Sequence, residues 1–374
     1  MKFIHVSDLH LGKKLNAYSL LDDQRYYLNK LVDTLIENNI HLLIISGDIF
    51  DNYNPSNDAL LLFDETLKKL KDNHITSLII TGNHDSSDKV NYLTSFLKDY
   101  SIYIRTDLEG FDIPLKIEDV DFYLIPYVSV NDINNKFSTS FKSLEEGYQF
   151  LIEKINVSNT RSSVLIAHQT FIPLNDELER SSSEDIVVGA VSNIRASLIS
   201  KFTYCALGHI HKSQKIAKNA FYSGSPLVFH KDEVNYKKNF LLVDINSTEF
   251  SIEYIDFVPY RKVIIINDYF SNLANYKNHE NDYIYFVLKD KNIINNAINS
   301  IKVIFPYALS IEYEMNNYNE VDFNKFNLSN VENKDINEIF SSFYELQNNE
   351  PLDEEQKQII KQLFIEAKKK DETD

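Results

Sequence analysis

The sequence predicts a layered α/β sandwich, followed by a smaller α/β unit and a helical tail. Three observations predict it. Strand and helix patterns alternate from residue 3 to about 98. Short apolar strands then dominate from 102 to 255, with one helix among them. A second strand–helix alternation begins after Pro259.

The elements follow in order. Phe3 to Val6 is a short apolar strand. Asp22 to Asn39 is a helix, because Tyr27, Leu28, Leu31, Leu35 and Ile36 recur at helical spacing. Leu42 to Ile45 is a continuous apolar run, as expected of a strand covered on both faces. Asn57 to Asn73 is helical, with Leu60, Leu61, Phe63, Leu67 and Leu70 as its expected inner face. Thr76 to Ile80 is a strand and Lys89 to Lys98 a helix. The later strands are Phe122 to Ile125, Val164 to Ala167, Phe202 to Leu207, Phe240 to Val243 and Ile252 to Ile255, with a helix over Ser143 to Ile155. Helices on both sides of a β-rich centre give layers. Asn175 to Gly189 is polar and reads as an exposed loop.

Beyond Pro259, Lys262 to Ile266, Tyr283 to Leu288 and Leu309 to Glu314 read as strands, and Ser271 to Tyr276 and Ile293 to Ile304 as helices. That βαβαβ pattern predicts a compact second domain. Asn316 to Asn333 is Asn-rich and weakly periodic, a linker. Asp335 to Tyr344 and Asp353 to Lys369 read as helices, with Asp353 placed to cap the second. The expected division is 1–258, 259–317, 318–334 as linker, and 335–374.

Composition narrows the function. A hydrophobic fraction of 43% with 25% charged residues is that of a soluble globular protein. The net charge of -17 has the sign opposite to a free-standing nucleic-acid binder. A nucleic-acid substrate would therefore need positive charge that is local, metal-borne or supplied by a partner. The single cysteine, Cys205, forbids an intramolecular disulfide and fits a reducing cytoplasm; its apolar setting reads as core. The N-terminal apolar run stops at Asp8, too soon for a signal peptide. No run approaches the ~20 apolar residues of a membrane span.

The chemistry lies in five clusters, each ending a predicted strand: Asp8-Leu9-His10, Gly47-Asp48, Gly82-Asn83-His84-Asp85, Ala167-His168-Gln169 and Gly208-His209-Ile210-His211. Any one alone is ordinary turn chemistry. Five in succession on one rim of a sheet place Asp8, His10, Asp48, Asn83, His168, His209 and His211 around a shared metal site. In each i, i+2 pair on an extended chain both side chains point to one side. The Asp48 carboxylate can bridge two cations. Nitrogen and oxygen donors without thiolate favour manganese, iron or zinc over calcium. Two divalent ions side by side are suited to hydrolysing phosphate esters. His84 lies beside a ligand and is suited to give a proton to the leaving oxygen; Asp51, three residues past Asp48, could orient it. Of the remaining histidines, His5 reads as core, His41, His74 and His279 as solvated, and His230 as near the site at most. Lys13, Lys14, Lys89 and Lys212 could form a basic collar for phosphates.

The motif order resembles the calcineurin-like metallophosphoesterases. More narrowly, Ser7-Asp8-Leu9-His10-Leu11-Gly12, Ala206 to His211, Ser223-Gly224-Ser225-Pro226 and the tail segments Val331 to Phe340 and Leu352 to Phe364 resemble the SbcD family, the nuclease subunits of bacterial SbcCD complexes. The resemblance implies a four-layer β-sandwich flanked by helices, with a small capping domain and C-terminal helices. It implies a cytoplasmic, nucleoid-associated, manganese-dependent exonuclease and endonuclease acting on DNA double-strand ends and hairpins in repair, recombination and replication. One ion would be held by Asp8, His10, Asp48 and His211, the other by Asp48, Asn83, His168 and His209. The implied partners are DNA, a second copy of the chain, and the coiled-coil ATPase SbcC, bound through Asp353 to Lys369. On its own terms, Ile359, Ile360, Leu363, Phe364 and Ala367 form one apolar stripe there. The alternatives are a phosphatase or cyclic-nucleotide phosphodiesterase of the same superfamily, or a scaffold of that fold without catalysis.

Overall fold

The structure is a computed structural model. It describes residues 1–314 except 93, 174–177, 183, 185–192 and 248, and then 337, 340–341, 344–345 and 351–371. The expected linker therefore lies outside the described residues, as do most of the 175–189 loop and of the 335–344 helix. Two compact units result, Met1–Phe286 with Asn296–Ile311, and Val287–Asn295 with Glu312–Asp374.

The first unit is built on two six-stranded sheets. One runs Glu249–Asp256, Asn239–Asn246, Lys2–Val6, Leu42–Ser46, Thr76–Ile80 and Ile102–Arg105 in spatial order. The other runs Gln214–Ala217, Ala220–Tyr222, Tyr204–Gly208, Ser162–His168, Val120–Ile125 and Leu115–Ile117. In the first, Lys2–Val6, Leu42–Ser46 and Thr76–Ile80 are parallel neighbours. In the second, Tyr204–Gly208, Ser162–His168 and Val120–Ile125 are.

Alternation of side chains along each strand creates the layers. Phe3, Ile44, Leu78 and Ile80 meet Phe122, Leu124, Val164, Ile166, Tyr204 and Ala206 between the sheets. Their neighbours Ile4, Val6, Leu43, Ile45 and Ile79 face the helices Leu21–Glu37 and Asn57–Asp72. On the far side, Tyr123, Ile125, Leu165, Ala167, Cys205 and Leu207 pack with Tyr148 and Leu151 of the helix Leu144–Lys154. The fold is thus mixed α/β with helical layers outside two stacked sheets. Because the central strands are buried on both faces, they read as unbroken apolar runs.

Several local expectations change. The inner face of Asn57–Asp72 is Ala59, Leu62, Phe63, Thr66, Leu67 and Leu70; Leu60 and Leu61 are exposed, as is Ile36 on the first helix. The expected helix over 89–98 is two short helices, Ser87–Asn91 and Thr94–Leu97, broken where Tyr92 turns extended (ψ 125°). The Ser271 to Tyr276 segment lies in a 3₁₀ stretch, Phe270–His279, with Tyr276 itself off helical geometry. The last helix of the βαβαβ pattern starts only at Ala297, because Asn296 is left-handed (φ 57°). The strands Val263–Asp268, Tyr283–Leu288 and Ala308–Tyr313 form one three-stranded sheet in that order.

In the second unit Glu354–Asp371 is helical. Asp353 and Gln356 cap its start reciprocally: Gln356 N donates to Asp353 Oδ1 at 2.8 Å, and Asp353 N to Gln356 Oε1 at 3.0 Å. Ile359 and Leu363 are exposed. Among the described residues no helix is long and apolar enough to cross a membrane.

Candidate metal centre

The parallel strands of both sheets end on a common rim, and each predicted cluster follows one of those ends. The loops pack tightly there. Asp8 N donates to Gly47 O and His10 N to Asp48 O, both at 3.0 Å. Gly47 has φ +96°, and a Cβ on it would strike the His168 ring; a Cβ on Gly208 would strike the Ser46 carbonyl. Only glycine fits at either contact.

The side chains converge, though not by the extended i, i+2 geometry the sequence suggests. Asp8 (φ 53°), His10 (φ 44°), Asp48 (φ 49°) and His209 (φ 99°) are all left-handed, so tight turns aim them. Left-handed backbone at non-glycine residues is costly and collects at functional sites.

Asp8, His10 and His211 bring one ligand atom each within 4.8 Å of one another, as do Asp8, Asp48 and His168, and His10, Asp48 and His84. Asp48 Oδ2 lies 3.4 Å from His168 Nε2, 3.5 Å from His10 Nε2 and 4.0 Å from His84 Nε2. Asn83 Oδ1 lies 3.1 Å from His168 Nε2 and 2.9 Å from His209 Nδ1. Asp8 is held by Ser7 Oγ at 2.5 Å and by the His209 amide at 3.0 Å. The sequence-predicted ligands are therefore brought together.

The donor set fits divalent cations. His168 Nδ1 donates to the Ser46 carbonyl at 2.7 Å, so in the neutral ring the Nε2 lone pair would confront the Asp48 and Asn83 oxygens. His211 Nδ1 gives its proton to Glu233 Oε1 at 2.9 Å, leaving Nε2 facing His10 Nε2 at 3.2 Å. Acceptors aimed at acceptors call for a positive charge between them. When no cation is bound, a proton on His168 answers the same demand. Burial favours a neutral His168, yet Asp48 overrides it and holds the ring up at about 9. Burial also works against the Asp48 charge, but His168 and the neighbouring rings keep that carboxyl well below the usual range. Burial, then His168, pushes His209 down to about 3.

His84 sits at the mouth, its side chain 21% exposed against 1% for His10 and 0% for His168. Its Nδ1 meets the main-chain carbonyl of Asp51 at 2.9 Å. The Asp51 carboxylate, expected to orient His84, binds Lys13 Nζ at 2.7 Å, and it is the carbonyl of the same residue that meets the His84 ring. The basic collar is similarly tied down, Lys89 to Asn54 at 2.5 Å and Lys212 to Glu179. His230 is exposed and paired with Asp232 at 2.7 Å, outside the cluster.

Sequence reasoning missed three supporting carboxylates. Asp85 accepts from the amides of Ile49, Phe50 and Gly82 at 3.0, 2.8 and 2.8 Å, clamping two ligand loops together. Burial, reinforced by Asp48, pushes it up to about 6. Glu184 accepts from the His211 amide at 2.8 Å, and Glu233 from the His211 ring. Asp85 lay inside a quoted cluster; the other two had no spacing signal.

A stacked two-sheet α/β core with candidate ligand loops on its rim fits a metal-dependent phosphoesterase. Residues 1–213 match the family model described as calcineurin-like phosphoesterase, more than half of the chain, and the protein belongs to that family. Its structure is also similar to a crystal structure of a dimetal phosphatase from Danio rerio, at 13% identity and a TM-score of 0.40, over 69% of this chain and 99% of that one.

Proposed function

We propose that the chain is a two-metal DNA phosphodiesterase of the SbcD type, acting on double-strand ends and hairpins. The observation that carries the hydrolytic part is the convergence of ligand atoms from both sheets around Asp48. Asp8, His10, Asp48 and His211 would hold one ion, and Asp48, Asn83, His168 and His209 the other. Nitrogen–oxygen donors suit manganese. When bound, the ions supply Lewis acidity at phosphoryl oxygens and a nucleophile at neutral pH.

The protein's own groups do the rest. The Asp51 carbonyl fixes the His84 ring so that Nε2 faces the cluster, where it can donate a proton to the departing sugar oxygen. Ser7 joins Asp8 to Ser223 at 2.7 Å, so the Ser223-Gly224-Ser225-Pro226 segment is part of the site wall. That placement gives the narrower motif a purpose in the site. The net charge of -17 leaves most DNA attraction to the ions and to a partner.

In this reading residues 259–317 form the capping domain that helps select DNA, 318–334 a linker, and 335–374 the partner-binding segment. The exposed Ile359 and Leu363 would dock on the coiled-coil ATPase SbcC. The working form would be a cytoplasmic homodimer bound to it.

The test is turnover with manganese on hairpin DNA, a phosphoprotein and a cyclic nucleotide, with and without the ATPase and ATP. Preference for hairpin DNA is expected. Preference for either other substrate would assign a phosphatase or cyclic-nucleotide phosphodiesterase, and no turnover on any of them a scaffold.

A further inference from the structure

Glu233 lies in a 3₁₀ turn, Lys231–Asn235, far in sequence from the clusters it serves. It is fully buried, yet donors surround it: His211 Nδ1 and Ser181 Oγ at 2.9 Å, the Phe229 amide at 3.1 Å and Lys238 Nζ at 3.2 Å. Lys238 is itself nearly buried and also reaches Ser225 Oγ at 2.7 Å. Taking a carboxylate and an ammonium out of water is costly before their attraction is counted. The geometry says what the pair accomplishes. His211 is the one ligand-type histidine among the described residues whose outer nitrogen meets a carboxylate at hydrogen-bond distance. The outer nitrogen of His168 meets a carbonyl, and that of His10 lies 3.7 Å from the Asp51 carboxylate.

We propose that Glu233, held by Lys238, is a positioning residue for half of the metal centre. It fixes His211 in the Nδ1-protonated tautomer, directs the Nε2 lone pair toward His10 and Asp8, and makes that nitrogen a stronger donor. A carboxylate behind a metal-bound imidazole does this in general, and its loss lowers metal affinity about 10–100-fold. Lys238 Nζ, at 3.2 Å, holds the Glu233 carboxylate in place behind the ring. The effect is local: it acts on the ion near Asp8, His10 and His211 and leaves the ion near Asn83, His168 and His209 untouched.

This inference rests on the two-metal reading, so the experiment separates the two. Manganese is titrated calorimetrically into the full-length chain, its Glu233→Gln variant and the Glu233→Gln/Lys238→Met double variant, with Tm measured for each. The double variant removes both buried charges and carries the test if the single variant fails to fold. The wild type should bind two ions; fewer would overturn the two-metal reading itself. Glu233→Gln should weaken one ion by about 10–100-fold and leave the other unchanged, with Glu233→Asp recovering part of the loss. The double variant should regain Tm but not affinity. Two unchanged isotherms beside a two-ion wild type would overturn this inference, as would equal weakening of both ions.

Discussion

The Nδ1 of His84 lies 2.9 Å from the main-chain carbonyl oxygen of Asp51, while the Asp51 carboxylate turns to Lys13. A backbone group thus orients this half-buried ring at the mouth, and a side-chain substitution at 51 leaves it in place.

His84→Ala should keep manganese binding and lower turnover by roughly 10²–10⁴-fold, the usual worth of a general acid. Parallel calorimetry and DNA cleavage check it. Unchanged turnover would remove His84 from the proton-transfer role.

Asp51→Asn should cost less than about tenfold in turnover, well short of the general-acid range, because the carbonyl that holds His84 survives. A loss as large as that of His84→Ala in the same assay would return the orienting role to the carboxylate.

Asp48→Asn keeps an oxygen for the His84 amide, which now donates to Asp48 Oδ1 at 2.9 Å, but loses the charge between the rings. Both ions should weaken, by more than the ~10–100-fold expected of an outer-shell loss. Retention of two tight ions in calorimetry would contradict a bridging Asp48.

His5 is buried between Tyr204 OH at 3.0 Å and Ser46 Oγ at 2.9 Å, and burial lowers its pKa to about 3. The unfolded chain therefore holds a proton between pH 6.5 and about 3 that the folded chain does not. Stability should fall as pH falls through that window. Going from pH 7 to 5, this one group should cost about 2 kcal/mol. Urea unfolding of metal-free wild type and His5→Gln at both pH values checks it: the variant's decline should be shallower by that amount, and parallel declines would exclude His5.

Removing the residues after Asn349 should spare manganese-dependent cleavage of short DNA and abolish co-purification with the ATPase partner. Retained binding would move that contact elsewhere on the chain.

The layers were legible because burial writes itself into sequence: Leu28, Leu31 and Leu35 keep helical spacing, and Leu42 to Ile45 has no polar break. The convergence of the candidate ligands was legible because they follow strand ends directly. What escaped has physical reasons. The left-handed turns at Asp8, His10, Asp48 and His209 accompany contacts between loops far apart in sequence, such as Asp8 N to Gly47 O and His10 N to Asp48 O. Glu233 reaches His211 across 22 positions of chain, and no periodicity marks such a contact. Leu60 and Leu61 misled because apolar side chains also occur on surfaces.

Asp8, Asp48 and Asn83 follow strands of one sheet, while His168, His209 and His211 come from the other. Each proposed ion would draw ligands from both sheets, so a bound ion would act as a rivet across the sandwich. Chelation should consequently loosen the whole molecule and lower its melting temperature, because a ligand that needs both halves closed favours the closed form by mass action.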